Sequence, residues 1–198
     1  MRIGLDFDNT IVNYDRLFYQ IAIERGVIPN GHVMSKNAIR DYLHEQQAEQ
    51  TWREIQGYVY GYSMIEHAQP YDGVIAFIQT AIAQGAEIHI VSHKTRYPYD
   101  GERFDMHLAA NHWLDRHVGA LIPPDHRNYC ESLSDKVMRI NELELKMFID
   151  DLPKVLNHPN LNLDIRRLLF DPVQQHTVQY ECEYSWANIT RLICGKST

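Results

Sequence analysis

Four short apolar runs punctuate a largely polar chain. Ile3, Gly4, Leu5 and Phe7 make the first, nearly unbroken, as expected of a strand buried on both faces of a parallel sheet. Ile88-His89-Ile90-Val91 and Met147-Phe148-Ile149 repeat that character, and Leu168-Leu169-Phe170 repeats it again before Asp171-Pro172 stops it. Between the runs the period changes to that of a helix. Val74, Phe77, Ile78, Ala81 and Ile82 fall on one helical face ended by Gly85, and Met106, Ala109, Ala110, Trp113 and Leu114 repeat the spacing. A further helical stretch runs from about Lys136 to Leu145, and Trp186, Ile189 and Ile193 suggest a packed helix near the C-terminus. Strands separated by helices predict an α/β fold with a parallel sheet.

One segment departs from this alternation. From Tyr14 to Ala68 no strand-like run occurs: Leu17, Phe18, Ile21 and Ala22 suggest one helix, and Ile39 to Tyr58 reads as polar, Gln-rich helical sequence. Pro70-Tyr71-Asp72-Gly73 then marks a turn where the α/β pattern resumes. The expected organisation is an α/β core of residues 1–13 and 69–198, with a small helical cap, residues 14–68, inserted directly after the first strand.

Composition narrows the functional classes. The chain has 198 residues, 44% hydrophobic and 23% charged, enough apolar material for a packed core. Its formal charge of −7 argues against a nucleic-acid polymer as partner. No run approaches the roughly 18 apolar residues of a membrane span, and Asp6 and Asp8 interrupt the N-terminus before any signal-like stretch, so a soluble, cytoplasmic protein is expected. Cys130, Cys182 and Cys194 are widely spaced and form no C-x-x-C pair, which suits reduced structural thiols. His107, His112 and His117 step about 140° apart on a helix and cannot converge on one metal.

The chemistry concentrates where the apolar runs end. Asp6-Phe7-Asp8-Asn9-Thr10 lies at the carboxyl end of the first strand, the edge at which parallel α/β sheets bind ligands. Asp6 and Asp8, two residues apart, can face one site. Two carboxylates beside a phosphate repel, at about 4 kcal/mol per unit-charge pair 4 Å apart in an effective dielectric of 20, so a hard divalent cation is implied. Mg2+ fits such oxygen ligands, and Asp150-Asp151, at the end of the third apolar run, is in register to add to them. Ser92, with the amide of His93 after it, can donate to phosphate oxygens. Lys136 falls in or near the first turn of a helix that Ser132 or Ser134 can cap, where a cation opposes the helix dipole and therefore suggests a function.

Asp6-x-Asp8-x-Thr10, Ser92, Lys136 and Asp150-Asp151, in this order on successive element ends, resemble the four motifs of the haloacid dehalogenase superfamily. The resemblance spans residues 1 to about 171. It implies a Rossmann-like parallel sheet flanked by helices, and an insert placed as in members with a helical cap. It further implies that Asp6 is a nucleophile that becomes an aspartyl phosphate and that Asp8 is the general acid and base. Thr10, Ser92, His93 and Lys136 would bind phosphate. Mg2+ would be held by Asp6, the Asp8 carbonyl and the Asp150-Asp151 pair, with Asp151 favoured as the direct ligand. The retained second acid, Asp8, points to the phosphatase branch rather than the dehalogenases.

Substrate choice is expected in the insert and in the loop after Ser92. Tyr58, Tyr60 and Tyr62, if extended, would turn to one side, and Lys94 and Arg96 would reach a second anionic group. The substrate expected is a small phosphorylated metabolite, first a sugar phosphate. The alternatives are a 5'-nucleotidase of deoxyribonucleotidase type, a phosphotransferase, and a non-catalytic relative that binds a phosphorylated ligand.

Overall fold

The computed structural model describes residues 1–195, which fall into two compact units. The first contains Met1–Val12, Pro70–Lys94 and the chain from His117 onward; the second contains Asn13–Gln69 and Thr95–Arg116. The insert expected at residues 14–68 is thus accompanied by a stretch that the periodicity alone assigned to the core.

The first unit is built on a six-stranded sheet of β1 (Arg2–Leu5), β2 (Glu87–His93), β3 (Arg127–Cys130), β4 (Met147–Asp150), β5 (Arg166–Phe170) and β6 (Glu181–Glu183). Every pairing is parallel, and the spatial order is β3-β2-β1-β4-β5-β6. This is a Rossmann-like α/β fold, and the order reverses direction between β1 and β4, which opens a crevice at their carboxyl ends. The four apolar runs became β1, β2, β4 and β5. The other two strands carry little apolar signal: β3 reads Arg-Asn-Tyr-Cys and β6 Glu-Cys-Glu, and both lie at sheet edges, where one side of the ladder is unpaired.

Close packing around β1 explains its glycine. A Cβ on Gly4 would collide with Leu145 and approach Phe148 to 2.6 Å. Phe148 belongs to a buried cluster with Val91, Val137, Ile140, Leu145, Val155, Leu156 and Leu169, among others, that joins sheet and helices. Helix Val74–Ala83 buries the predicted face, and Gly85 after it has φ +82°, the left-handed conformation that glycine adopts without strain. Helix Leu133–Glu142 starts at Ser132, whose Oγ accepts from the Asp135 amide at 3.1 Å.

The second unit is helical. Its segments are Asp15–Glu24, Lys36–Glu45, Glu49–Tyr58, a π-helical turn at Val59–Ser63, the single turn Met64–His67, and Met106–His117. The polar stretch read as continuous from Ile39 to Tyr58 is two helices, with Gln47 at φ +56° between them. Tyr14, Phe18, Trp52 and Tyr60 form its aromatic core, with ring centroids 4.8 Å apart for Tyr14–Tyr60 and 5.1 Å for Phe18–Trp52. The returning segment is packed in tightly: Gly57 lies under Pro98, Gly61 under Phe104, and Arg53 pairs with Asp100. Trp113 Nε1 donates to the Ala68 carbonyl at 2.9 Å. Small residues on one helix and bulky ones on the loop after β2 account for the joining of Thr95–Arg116 to this unit.

Candidate active site

The residues read from the sequence as catalytic converge on the carboxyl edge of the first unit's sheet. The β1–β4 ladder continues one step past the strand, with the Asp6 amide donating to the Ile149 carbonyl at 2.9 Å, which fixes the Asp6 backbone beside Asp150. The chain then folds tightly. The amides of Ile11 and Val12 both donate to the Phe7 carbonyl at 3.1 Å, and Asn9 adopts φ +60°, which asparagine tolerates better than most residues. Strand geometry therefore ends at Leu5, and the loop, not an extended strand, presents Asp8 and Thr10.

Lys136 stands between two buried acids. Its Nζ donates at 2.6 Å to Asp6 Oδ1 and at 2.6 Å to Asp150 Oδ2, and the side chain is almost wholly enclosed. The dipole argument from sequence gave this cation a local penalty of about 0.3–1 kcal/mol. Two buried carboxylates outweigh that, and they hold the ammonium well above the usual lysine range although burial alone would lower it. Asp150 is fully engaged, its Oδ1 accepting from the Leu152 amide at 2.8 Å.

Asp6 behaves differently. Burial pushes its carboxyl up to about 7 against the pull of Lys136, and the charges of Asp150 and Asp8 raise it further. Thr10 Oγ1 donates to Asp6 Oδ2 at 3.4 Å. Carboxylate oxygens of Asp6, Asp150 and Asp151 lie within 4.8 Å of one another, an all-oxygen set that fits a hard divalent cation.

On the β2 side, Ser92 is buried at the strand end opposite Tyr129 of β3. His93 is more exposed; its Nε2 lies 3.3 Å from the Glu131 carbonyl, and burial moves the imidazole below its ordinary pKa. Lys94 departs from expectation. Its amide donates to the Cys130 carbonyl, and its buried Nζ pairs with Asp8 Oδ2 at 2.9 Å, so this cation is committed to Asp8 rather than reaching for a second anion.

The other residues expected from the sequence to set specificity belong to the second unit. Arg96 is exposed and pairs with Asp105 Oδ2 at 2.9 Å. The three tyrosines are helical, not extended: Tyr60 packs into the aromatic core, while Tyr58 and Tyr62 lie one turn apart with centroids at 5.4 Å. Tyr60 is therefore a core residue, and the expectation of three tyrosines on one side is corrected.

The sequence places Trp186 in a packed C-terminal helix, which the structure has at Trp186–Cys194, but gives no sign of its contact with the loop after Asp6. Trp186 Nε1 donates to the Thr10 carbonyl at 3.1 Å from the first residue of that helix.

No protein-family model matches the chain, and no curated protein matches it. Solved structures do. A haloacid dehalogenase (HAD) hydrolase of family IA, variant 3, from Entamoeba histolytica superposes with a TM-score of 0.60 at 11% identity, covering 98% of this chain and 97% of that one. A predicted phosphoglycolate phosphatase from Haemophilus somnus gives 0.58 at 14% identity, covering 96% of each chain. A HAD hydrolase from Bacillus subtilis, bound to magnesium, gives 0.57 at 13% identity, covering 96% and 97%. The fold is that of the HAD-like hydrolases. Among the described residues no helix is long and apolar enough to cross a membrane.

Proposed function

We propose that this protein is a magnesium-dependent phosphomonoester hydrolase acting on a small phosphorylated metabolite, with a sugar phosphate as the first candidate. The observation that carries the reading is the buried Asp6–Lys136–Asp150 triad with the Asp151 carboxylate beside it. Structural packing has no use for three acids and a lysine at a strand end, whereas phosphoryl transfer needs such a set. The similar HAD-like structures, one a predicted phosphatase and one bound to magnesium, support it.

Magnesium, held by Asp6, the Asp8 carbonyl and Asp151, would supply charge neutralisation for the phosphoryl oxygens. Asp151 suits direct ligation better than Asp150, whose two oxygens already accept from Lys136 and Leu152. The carboxylate of Asp6 attacks phosphorus and the ester oxygen departs, taking a proton from Asp8. Asp8 then removes a proton from the water that attacks the aspartyl phosphate, and inorganic phosphate leaves Asp6 regenerated. Thr10, Ser92, the His93 amide and Lys136 hold the phosphoryl oxygens as charge develops. Lys94 fixes the orientation of the Asp8 carboxylate, which must serve in both half-reactions. A cytoplasmic setting follows from the same reading, since small phosphorylated metabolites are found there.

Hydrolysis of p-nitrophenyl phosphate, with and without Mg2+, by the wild type and by Asp6→Asn tests this. Metal-dependent turnover lost in the variant is expected. A panel of sugar phosphates and nucleoside monophosphates then separates the two substrate classes. Absence of turnover across the panel, with Mg2+ bound, would overturn the hydrolase reading in favour of a phosphate-ligand-binding relative.

A further inference from the structure

The opposite end of the same sheet holds a second group of ligating side chains. Glu87 and His89 begin β2, and His126 ends the 3-10 turn Pro124–His126 that leads into β3. One ligand atom from each lies within 4.8 Å of the others. Glu87 Oε1 is 2.9 Å from His89 Nε2 and 3.6 Å from His126 Nε2. Glu87 pairs in register with Arg2 at the start of β1, so the group sits at the amino edge, about 16 Å of strand from Ser92.

Hydrogen bonding makes this group unusual. His126 Nδ1 is 3.1 Å from the Ile88 carbonyl, which can only accept, so Nδ1 carries the hydrogen. In the neutral ring Nε2 is then a lone pair, and it faces the Glu87 oxygen across 3.6 Å: two acceptors with nothing to share. A cation between them resolves the conflict. His89 adds a second observation. It is only 5% exposed in a strand otherwise apolar at Ile88, Ile90 and Val91, and its Nδ1 has no hydrogen-bond partner. The Glu87 carboxylate only accepts, so in the ion-free group His89 Nε2 donates and Nδ1 is bare; ligation through Nε2 moves that hydrogen to Nδ1.

We propose that Glu87, His89 and His126 form a second metal site, selective for a borderline ion such as Zn2+ over Mg2+. Two imidazole nitrogens and one carboxylate oxygen are a zinc ligand set, and tetrahedral ligands with bonds of about 2.0–2.1 Å lie about 3.3 Å apart, between the two separations observed. The rings are stacked, centroids 4.2 Å apart and 26° between planes, so their lone pairs run side by side. His126, with 22% of its side chain exposed, is the ring that tilts onto the ion, while the enclosed His89 stays in place. The outer partners are present: the Ile88 carbonyl on His126 Nδ1, and Arg2, whose Nε lies 3.5 Å from Glu87 Oε2. The bound ion ties the start of β2 to the turn before edge strand β3 and so stabilises the sheet by mass action.

The test is independent of catalysis. Imidazole 15N resonances are followed at about pH 8 as zinc chloride is added to the Mg2+-loaded wild type and to His126→Gln. Selective shifts of the His89 and His126 Nε2 signals are expected, and calorimetry should find one zinc equivalent fewer in His126→Gln, whose circular dichroism confirms folding. Rings unmoved by zinc, or shifted only by acidification, or equal zinc stoichiometry in both proteins, would overturn the site.

Discussion

Trp186 donates its indole hydrogen to the carbonyl of Thr10 at 3.1 Å, so the last helix of the chain braces the loop that follows the nucleophile candidate. The ring is fully buried and packs on Phe77 and Phe170, with centroids at 5.0 and 5.4 Å. Trp186→Phe keeps an aromatic ring there but leaves the buried Thr10 carbonyl without its donor. A loss of about 2–3 kcal/mol is expected, combining an unsatisfied acceptor with a small void. Urea unfolding measures it. Turnover should fall less than tenfold, because Asp6 itself is held by β4. A variant as stable as wild type would show that the brace does not act.

Lys136 gives a larger effect. Its Nζ neutralises Asp6 and Asp150 across 2.6 Å contacts in a water-poor setting, so Lys136→Met leaves two buried acids facing each other. Removing one member of a buried ion pair costs about 3–5 kcal/mol. The loss should shrink on adding Mg2+, which replaces part of the missing positive charge, and should shrink again in acid, where the carboxyls protonate. Denaturation curves at two pH values, with and without metal, read both trends; a metal-independent loss would remove the electrostatic account.

If Asp6 ligates the proposed Mg2+, metal binding is coupled to pH. The folded pKa of Asp6, about 7, lies above the ordinary 3.8, so its contribution to metal-free stability is greatest below about pH 4 and is lost as pH rises through 7. Mg2+ needs the ionised carboxylate and must displace the proton below pH 7. Apparent Mg2+ affinity should therefore rise by about tenfold per pH unit up to neutrality and level off above it. Calorimetry in buffers of different ionisation enthalpy should detect about one proton released per ion near pH 6 and almost none near pH 8.5. Flat affinity across that range would mean that Asp6 does not ligate the metal.

Legibility in the sequence followed burial on both faces. β1, β2, β4 and β5 are apolar because each is covered above and below, and the acids stand out against them. Edge strands β3 and β6 need no such run and read as loops. The pairing of Lys94 with Asp8, and of Trp186 with Thr10, joins residues far apart in the chain, which no local period records. Assigning Tyr60 to a binding face failed for a related reason: an alternation of tyrosines and glycines reads as extended, but here Gly57 and Gly61 are spaced for helical contact with Pro98 and Phe104.

That correction separates two neighbouring tyrosines by experiment. Tyr60 is 8% exposed and meets the Tyr14 and Phe18 rings edge-on, whereas Tyr62 is 58% exposed and lies against Tyr58 and Phe104. Tyr60→Ala removes a core ring and should destabilise by about 3–5 kcal/mol. Tyr62→Ala should change stability by no more than about 0.5–1 kcal/mol, because most of its surface is already in water. If the pair of half-buried Tyr58 and exposed Tyr62 selects substrates, Tyr62→Ala will raise KM for the preferred phosphate ester and leave kcat and p-nitrophenyl phosphate hydrolysis unchanged. Equal KM values for every ester in wild type and Tyr62→Ala would confine this aromatic pair to a structural role.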